Sequence, residues 1–295
     1  MAPTGIRTWP DPFPSRPIPR RTPREPFFWG MDTNPPSIYR GYLNSGASDL
    51  GFCRECPLGP GPHGRKTDRD STIENRKSKM SSMRTAYNPF PDPEHADDSG
   101  LLCIGGALDV KTLYAAYTRG IFPWPHQGTP LLWFTPADRG VLDFEDLHIA
   151  RSLKRFMRGT EWQLTFDQDF AAVIRACSAV PRPGQEGTWI TDEMIAGYTA
   201  FHEAGFAHSV ECWHGDQLVG GIYGVFVQDI FSAESMFHLQ DNASKLCLLA
   251  LVERLKARGL TWLDVQMVTP TLEAFGAKEI PRDEFLERIA AAHAG

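Results

Sequence analysis

Asp264 and Gln266 stand two residues apart in the run LDVQ. On a strand both side chains leave one face, while Leu263 and Val265 leave the other. A strand deep in a domain is covered on both faces. An acid and an amide inside it must therefore be hydrogen-bonded or functional. Glu234 offers a second carboxylate in FSAESMF, where it alternates with Ser232 and Met236 on one face, either functional or at a strand edge. Phe231, Ala233 and Ser235 fall on the other. These groups suit polar chemistry in a closed pocket, or a structural polar pair near a strand end. Other chemistries find no motif: there is no Ser-His-Asp spacing, no HExxH and no Walker loop. His148, His202, His208, His214 and His238 are scattered and read as structural or exposed. CREC with His63 is half a zinc site without a second half, so no metal is expected. The cysteines read as reduced thiols, with Cys177 and Cys247 filling core.

The elements that would carry these residues follow from periodicity. EWQLTFD reads as a strand, QDFAAVIRACSAV as a helix, and GTWIT leads into the helix DEMIAGYTAFHEAG. Three strand-like runs follow, AHSVECWH, LVGGIYGVFV and IFSAESMF, joined by the short turns GDQ and QD. Gly220, Gly221 and Gly224 inside the middle run point to a bulge or to close approach by a ligand. A mostly apolar helix over Ala243–Arg258 ends at Gly259, LTWLDVQM is a strand, and a last helix covers about 282–292. Hairpin strands followed by helix, strand and helix predict an α+β domain with a mixed sheet.

Upstream, LLCIGGALDVKTLYAAYTRG reads as a short apolar segment, a Gly-Gly turn and a helix capped by Asp109 and closed by Gly120. Arg119–Gly140 then carries four prolines, two tryptophans and two phenylalanines, which excludes a helix interior and a central strand. In DLHIARSLKRFMRG the apolar residues Ile149, Ala150, Leu153, Phe156 and Met157 share one helical face. Arg151, Lys154, Arg155 and Arg158 gather on the opposite face. That face is either solvated or a phosphate-backbone contact.

The chain has 295 residues, with a net charge of −6 that is split: residues 1–84 carry +6 and the remainder −12. A nucleic-acid partner therefore needs a local patch. Residues 1–84, rich in Pro, Gly, Ser and Arg, are expected to be a disordered extension. Residues 85–145 are expected to form a small N-terminal domain and 146–295 the main domain. The longest strongly apolar run, Leu246–Val252, is too short for a bilayer, and no signal-peptide core is visible, so a cytoplasmic protein without a membrane partner is expected.

GIFPW at 120–124, GTWIT at 187–191, ESMF at 234–237, NASK at 242–245 and LDVQ at 263–266 occur in one order. In these motifs the chain resembles the leucyl/phenylalanyl-tRNA–protein transferases over roughly residues 88–285. The resemblance implies a GNAT-like acyltransferase domain after a small domain. It implies transfer of Leu, Phe or Met from aminoacyl-tRNA to the N-terminal amine of proteins beginning with Arg or Lys, marking them for degradation. No cofactor is implied, and a monomer is expected. By the same resemblance Asp264 orients the amide of Gln266, whose oxygen accepts a hydrogen from the attacking amine. Trp124 and Trp189 hold the 3′-terminal adenosine, Glu234 holds the aminoacyl end, and Ile222, Phe231 and Leu263 line the side-chain pocket. The cations of 151–158 would meet the acceptor stem. The chain departs from the pattern at Leu239, where Arg is frequent, and at Trp133-Phe134, where Trp-Trp is frequent. Two other readings of the fold are an acyl-CoA-dependent N-acyltransferase and a non-catalytic RNA- or peptide-binding module. The first needs a Gly-containing turn before the helix, and FHLQDN has none.

Overall fold

The computed structural model describes residues 87–125, 129–180 and 189–294. The expected extension 1–84, with Cys53, Cys56 and His63, lies outside the described residues.

A seven-stranded mixed sheet organises the chain. It comprises β4 (Asp138–Asp143), β5 (Gln163–Phe166), β6 (Ala207–His214), β7 (Gln217–Val227), β8 (Ile230–His238), β9 (Trp262–Gln266) and β10 (Lys278–Pro281). Their order is β10-β4-β9-β8-β7-β6-β5. Neighbours are antiparallel except β8 and β9, which run parallel and are in register at Ser232 and Asp264. Parallel neighbours need a crossover, and α5 (Ala243–Ala257) supplies it. This helix is apolar on most of its circumference, because it lies across one face of the sheet. Leu246, Cys247, Leu248, Leu251 and Leu255 pack there with Ile222, Phe231, Leu263 and Val265.

The opposite face carries α3 (Phe170–Ala179), α4 (Asp192–Glu203) and a three-stranded sheet of order β1-β3-β2. Its strands are β1 (Leu101–Ile104), β2 (Phe122–Pro123) and β3 (Leu132–Phe134). Between β1 and β2 runs α1 (Val110–Tyr117), capped by Asp109, which accepts from Lys111 N and Thr112 N at 2.9 Å each. The remaining helices are α2 (Arg151–Gly159), α6 (Pro270–Ala274) and α7 (Arg282–Ala294). Phe285 and Ile289 of α7 cover Val141 and Ile280.

Two expectations need correction. The Pro-rich segment does contain a middle strand: β3 is central in the small sheet, and β4 begins at Asp138. Its prolines do not interrupt them. Pro123 lies in β2, an edge strand, and Pro130 and Pro136 flank β3. The helix expected from Asp146 starts only at Arg151, because Ala150 at the N-cap is extended and offers no capping side chain. β4 lies ahead of residue 146 in sequence, yet it is an internal strand of the large sheet.

The three glycines of β7 answer to packing. A Cβ at Gly220 would meet Ala243 of α5, one at Gly221 would meet Phe237 and Val173, and one at Gly224 would meet Phe231 and the Ser232 carbonyl. The β6–β7 ladder shifts register between Cys212 and Trp213, leaving Val219 of β7 as an extra residue beside Gly220, so the expected bulge is present; the β7–β8 shift between Tyr223 and Gly224 has its extra residue in β8.

Arg139 of β4 joins the layers. Its guanidinium lies 4.7 Å from the Phe122 ring centroid and 4.5 Å from that of Phe285. It donates to the Gly120 carbonyl at 3.2 Å and, bidentately, to Asp264 at 2.8 and 2.7 Å. One side chain thus ties β2, the end of α1, α7 and β9 together. Removing one member of a buried pair strands the other charge, at about 3–5 kcal/mol. Arg139→Met should therefore lower the thermal midpoint by roughly 6–20 °C, taking about 2–4 °C per kcal/mol for a chain of this size. A midpoint within a degree or two of the parent in calorimetry would contradict this.

Candidate active site

Two irregularities of the sheet create the site. The first is at β8. Tyr223 faces Ser235 and Gly224 faces Ala233, so Glu234 is the extra residue of the bulge. A bulge re-aims a side chain and resets the alternation. That is why Met236, expected beside Glu234, packs instead with Ala233 on the α5 side. The second is at β9. Gln266 has φ +61°, and Met267 N donates to the Val265 carbonyl at 2.7 Å, a tight turn centred on Gln266. Left-handed backbone at a non-glycine residue costs on the order of 1–3 kcal/mol and persists only where its surroundings impose it. Gly140 lies opposite, where a Cβ would come within 2.9 Å of the Met267 backbone, so the turn fits only against a glycine.

These features bring Asp264, Gln266, Ser232 and Glu234 together, all buried. Asp264 accepts from Arg139 Nε and Nη2, from Ser232 Oγ at 2.7 Å and from Gln266 N at 2.9 Å. The side-chain amide of Gln266 goes elsewhere: its Nε2 donates to Glu234 Oε1 at 2.6 Å. Asp264 thus holds the backbone of Gln266, and Glu234 holds its amide. Tyr198 of α4 donates to Glu234 Oε2 at 3.1 Å and is itself hydrogen-bonded to the Tyr117 hydroxyl of α1. Hydroxyls from two helices, α1 and α4, therefore converge on one carboxylate.

Electrostatics follow from burial. Desolvation pushes Glu234 up to about 7. Hydrogen bonds from Tyr117 and Tyr198 and the charge of Arg139 pull the other way, while the charge of Asp264 adds to the rise. Burial, and then the negative charge of Glu234, hold the Tyr117 and Tyr198 hydroxyls well above the usual phenol range.

The other residues singled out by sequence lie at several places. Ile222, Phe231 and Leu263 are buried on the α5 side of the sheet, opposite the carboxylates. Between the two groups is the seam of β8 and β9, which share one paired position. Trp124 is half-buried, edge-on to Phe134 at 5.4 Å, and packs against the cluster that contains Tyr117 and Tyr198. Trp189, buried at 8 % exposure, belongs to that cluster just ahead of α4. Arg151, Lys154, Arg155 and Arg158 are all exposed, and among the described residues none is in an ion pair. Beside them a cavity of about 610 Å³ is lined by Arg155, Phe156, Trp162, His214 and Asn242 among others. Leu239 is 51 % exposed, while Trp133 and Phe134 are core. Among the described residues no group of three or more His, Cys, Asp or Glu is placed to hold a metal ion, and no helix is long and apolar enough to cross a membrane.

Sequence reasoning missed Arg139, Tyr117 and Tyr198. Arg139 meets Asp264 across 125 residues, and no local pattern announces such a pair. The tyrosines carried a weak signal: each sits in an apolar helical face, where a buried hydroxyl needs a partner.

The leucyl/phenylalanyl-tRNA protein transferase family profile matches residues 141–290, and that of the family's N-terminal domain matches 106–137. A leucyl/phenylalanyl-tRNA–protein transferase of Myxococcus xanthus is 48 % identical over 203 residues, covering 69 % of this chain and 87 % of the relative. One from Pseudomonas entomophila is 50 % identical, covering 68 % and 89 %. Among solved structures, L-PGS from Bacillus licheniformis aligns at a TM-score of 0.30 and 13 % identity over 50 % of this chain and 48 % of that one, a level from which no fold assignment follows. The identities and the two matched profiles together show that the chain belongs to the leucyl/phenylalanyl-tRNA–protein transferase family.

Proposed function

We propose that the protein transfers a leucyl, phenylalanyl or methionyl group from aminoacyl-tRNA to the N-terminal amine of proteins that begin with Arg or Lys, and so marks them for degradation. The observation that carries this reading is the buried cluster of Gln266, Glu234 and Asp264 at the seam of β8 and β9. An amide held there by a carboxylate can align a neutral amine against an ester.

The reaction is aminolysis of an activated ester. It needs no ATP, because the ester bond already carries the driving force. An α-amine with a pKa of about 7.7–8.0 is partly neutral near pH 7, so positioning can supply much of the rate. In this reading the large sheet with α5 is a GNAT-like acyltransferase domain, and β1–β3 with α1 form the small domain ahead of it. β4 then belongs to the catalytic domain. The aminoacyl side chain passes through the β8–β9 seam towards Ile222, Phe231 and Leu263. An apolar pocket of this kind discriminates by only about 1–3 kcal/mol per methylene, so a preference among large apolar residues is expected. Trp124 and Trp189 grip the 3′-terminal adenosine. The exposed cations of α2, with the neighbouring cavity, meet the acceptor-stem phosphates.

Three measurements test the reading. Purified protein mixed with radiolabelled Leu-tRNA and a peptide beginning with Lys should pass label to the peptide, and acetyl-CoA should donate nothing. Transfer from the thioester, or none from charged tRNA, would overturn the assignment. Of the two indoles only Trp124 keeps an accessible flank, so Trp124→Ala should weaken binding of an aminoacyl-adenosine analogue by about 1–3 kcal/mol. Trp189→Ala should mainly lower stability; the reverse ranking in calorimetry would reject the stacking role. Replacing Arg151, Lys154, Arg155 and Arg158 by Gln should weaken tRNA binding and flatten its log K against log salt by roughly 0.7–0.9 per lost contact. An unchanged slope would show that the stem binds elsewhere.

A further inference from the structure

The carboxylates beside Gln266 differ in what they still have to offer. A carboxylate has about four lone-pair positions. Those of Asp264 are taken by Arg139 Nε, Arg139 Nη2, Ser232 Oγ and Gln266 N. Asp264 also makes no hydrogen bond to the Gln266 amide, so a proton leaving that amide has no path to it. Glu234 receives three hydrogen bonds, from Gln266 Nε2, Tyr198 and Tyr117, one fewer than its lone pairs allow. It keeps acceptor capacity, and it touches the amide directly.

We infer that Glu234, acting through the amide of Gln266, is the group that takes up the proton of the attacking amine, while Asp264 only fixes the backbone of Gln266. The hydrogen bond from Nε2 to Glu234 orients the amide with Oε1 turned away, towards an arriving amine. As the amine nitrogen bonds to the ester carbonyl carbon, its proton moves to Oε1 and the Nε2 proton moves to Glu234 Oε1. The amide passes through its imidic acid form. When the bond from the carbonyl carbon to the ribose oxygen breaks, the relay runs backwards. Glu234 returns its proton to Nε2, and the proton on Oε1 goes to the departing ribose oxygen. Bonds and charges balance with no further reactant. Gln266 is the residue that touches the reacting atoms, and Glu234 is a positioning and proton-holding residue behind it.

The groups facing Glu234 define its ionisation. They are Tyr117 of α1, Tyr198 of α4, Arg139 of β4 and Asp264 with Gln266 of β9. Burial raises it to about 7, so it is an acceptor at and above neutral pH and is blocked below.

This inference rests on the proposed transfer activity, and its test separates the two. The probe is kcat/KM for the Lys-initiated peptide, measured from pH 5.5 to 9 with Leu-tRNA. Two protonations disable the wild type at low pH, one on the amine and one on Glu234, so the logarithmic plot should fall with slope two below about pH 7. Glu234→Gln keeps the shape of the site. It should fall with slope one and lose at least tenfold at pH 8.5. Tyr198→Phe removes a donor that favours the ionised carboxylate, so it should move the acidic limb to higher pH. An active wild type whose Glu234→Gln variant keeps slope two or full rate overturns the relay and leaves the transfer activity standing. The Tyr198→Phe limb decides the matter if the first variant does not fold; an unmoved limb counts against the relay. A wild type that never transfers from charged tRNA defeats the functional reading itself.

Discussion

A guanidinium clamped between two aromatic rings and a carboxylate sets the geometry on which the site depends. Arg139 stands between Phe122 and Phe285 and grips Asp264 with two parallel hydrogen bonds. Planar, bidentate recognition of this kind suits arginine and no other side chain. The pair is buried, with each side chain about 1 % exposed, so desolvation cancels much of its attraction and it adds little net stability. Its value is in placement. With both oxygens of Asp264 committed, the backbone of Gln266 has one place to go. The left-handed turn at Gln266 then sends the side-chain amide to Glu234.

Strain, burial and charge are linked along this chain of contacts. The turn at Gln266 is costly, and it is held by the Gln266 N–H bond to Asp264 and by the close approach of Gly140. The bulge at Glu234 leaves a carboxylate pointing into a dry core. An ionised carboxylate in such a place needs donors, and two tyrosines and an amide provide them. The compromise leaves Glu234 titrating near neutrality, where a proton acceptor is most useful. Two helices from distant parts of the sequence, α1 and α4, meet at this group through Tyr117 and Tyr198. The small sheet and the large sheet are thereby coupled to one ionisation.

Much of the scaffold was legible because periodicity is local. The strand carrying Asp264 and Gln266, the helix after NASK and the exposed basic stripe of α2 all follow from spacing within a few residues. The three-strand meander β6–β8 was announced by short turns. What spacing could not carry was anything made of long-range contact. Alternation along ESMF assigned Met236 to the face of Glu234, and a bulge moved it to the other. β3, β4 and β10 were hidden, two of them among prolines that tertiary packing tolerates at strand edges and flanks. The partner of Asp264 was invisible for the same reason. An arginine 125 residues upstream has no sequence pattern tying it to an acid, although that contact decides which carboxylate serves Gln266.

The central claim is that Glu234 is the ionisable group coupled to Gln266, and its titration can be watched directly. Carboxyl ¹³C NMR of protein labelled at glutamate, with the signal assigned through its loss in Glu234→Gln, reports that ionisation without any substrate. A midpoint near pH 7 agrees with a buried carboxylate held by Gln266 and Tyr198. A midpoint in the ordinary glutamate range of about 4–5 would mean that the site is wet and that the proton acceptor lies elsewhere.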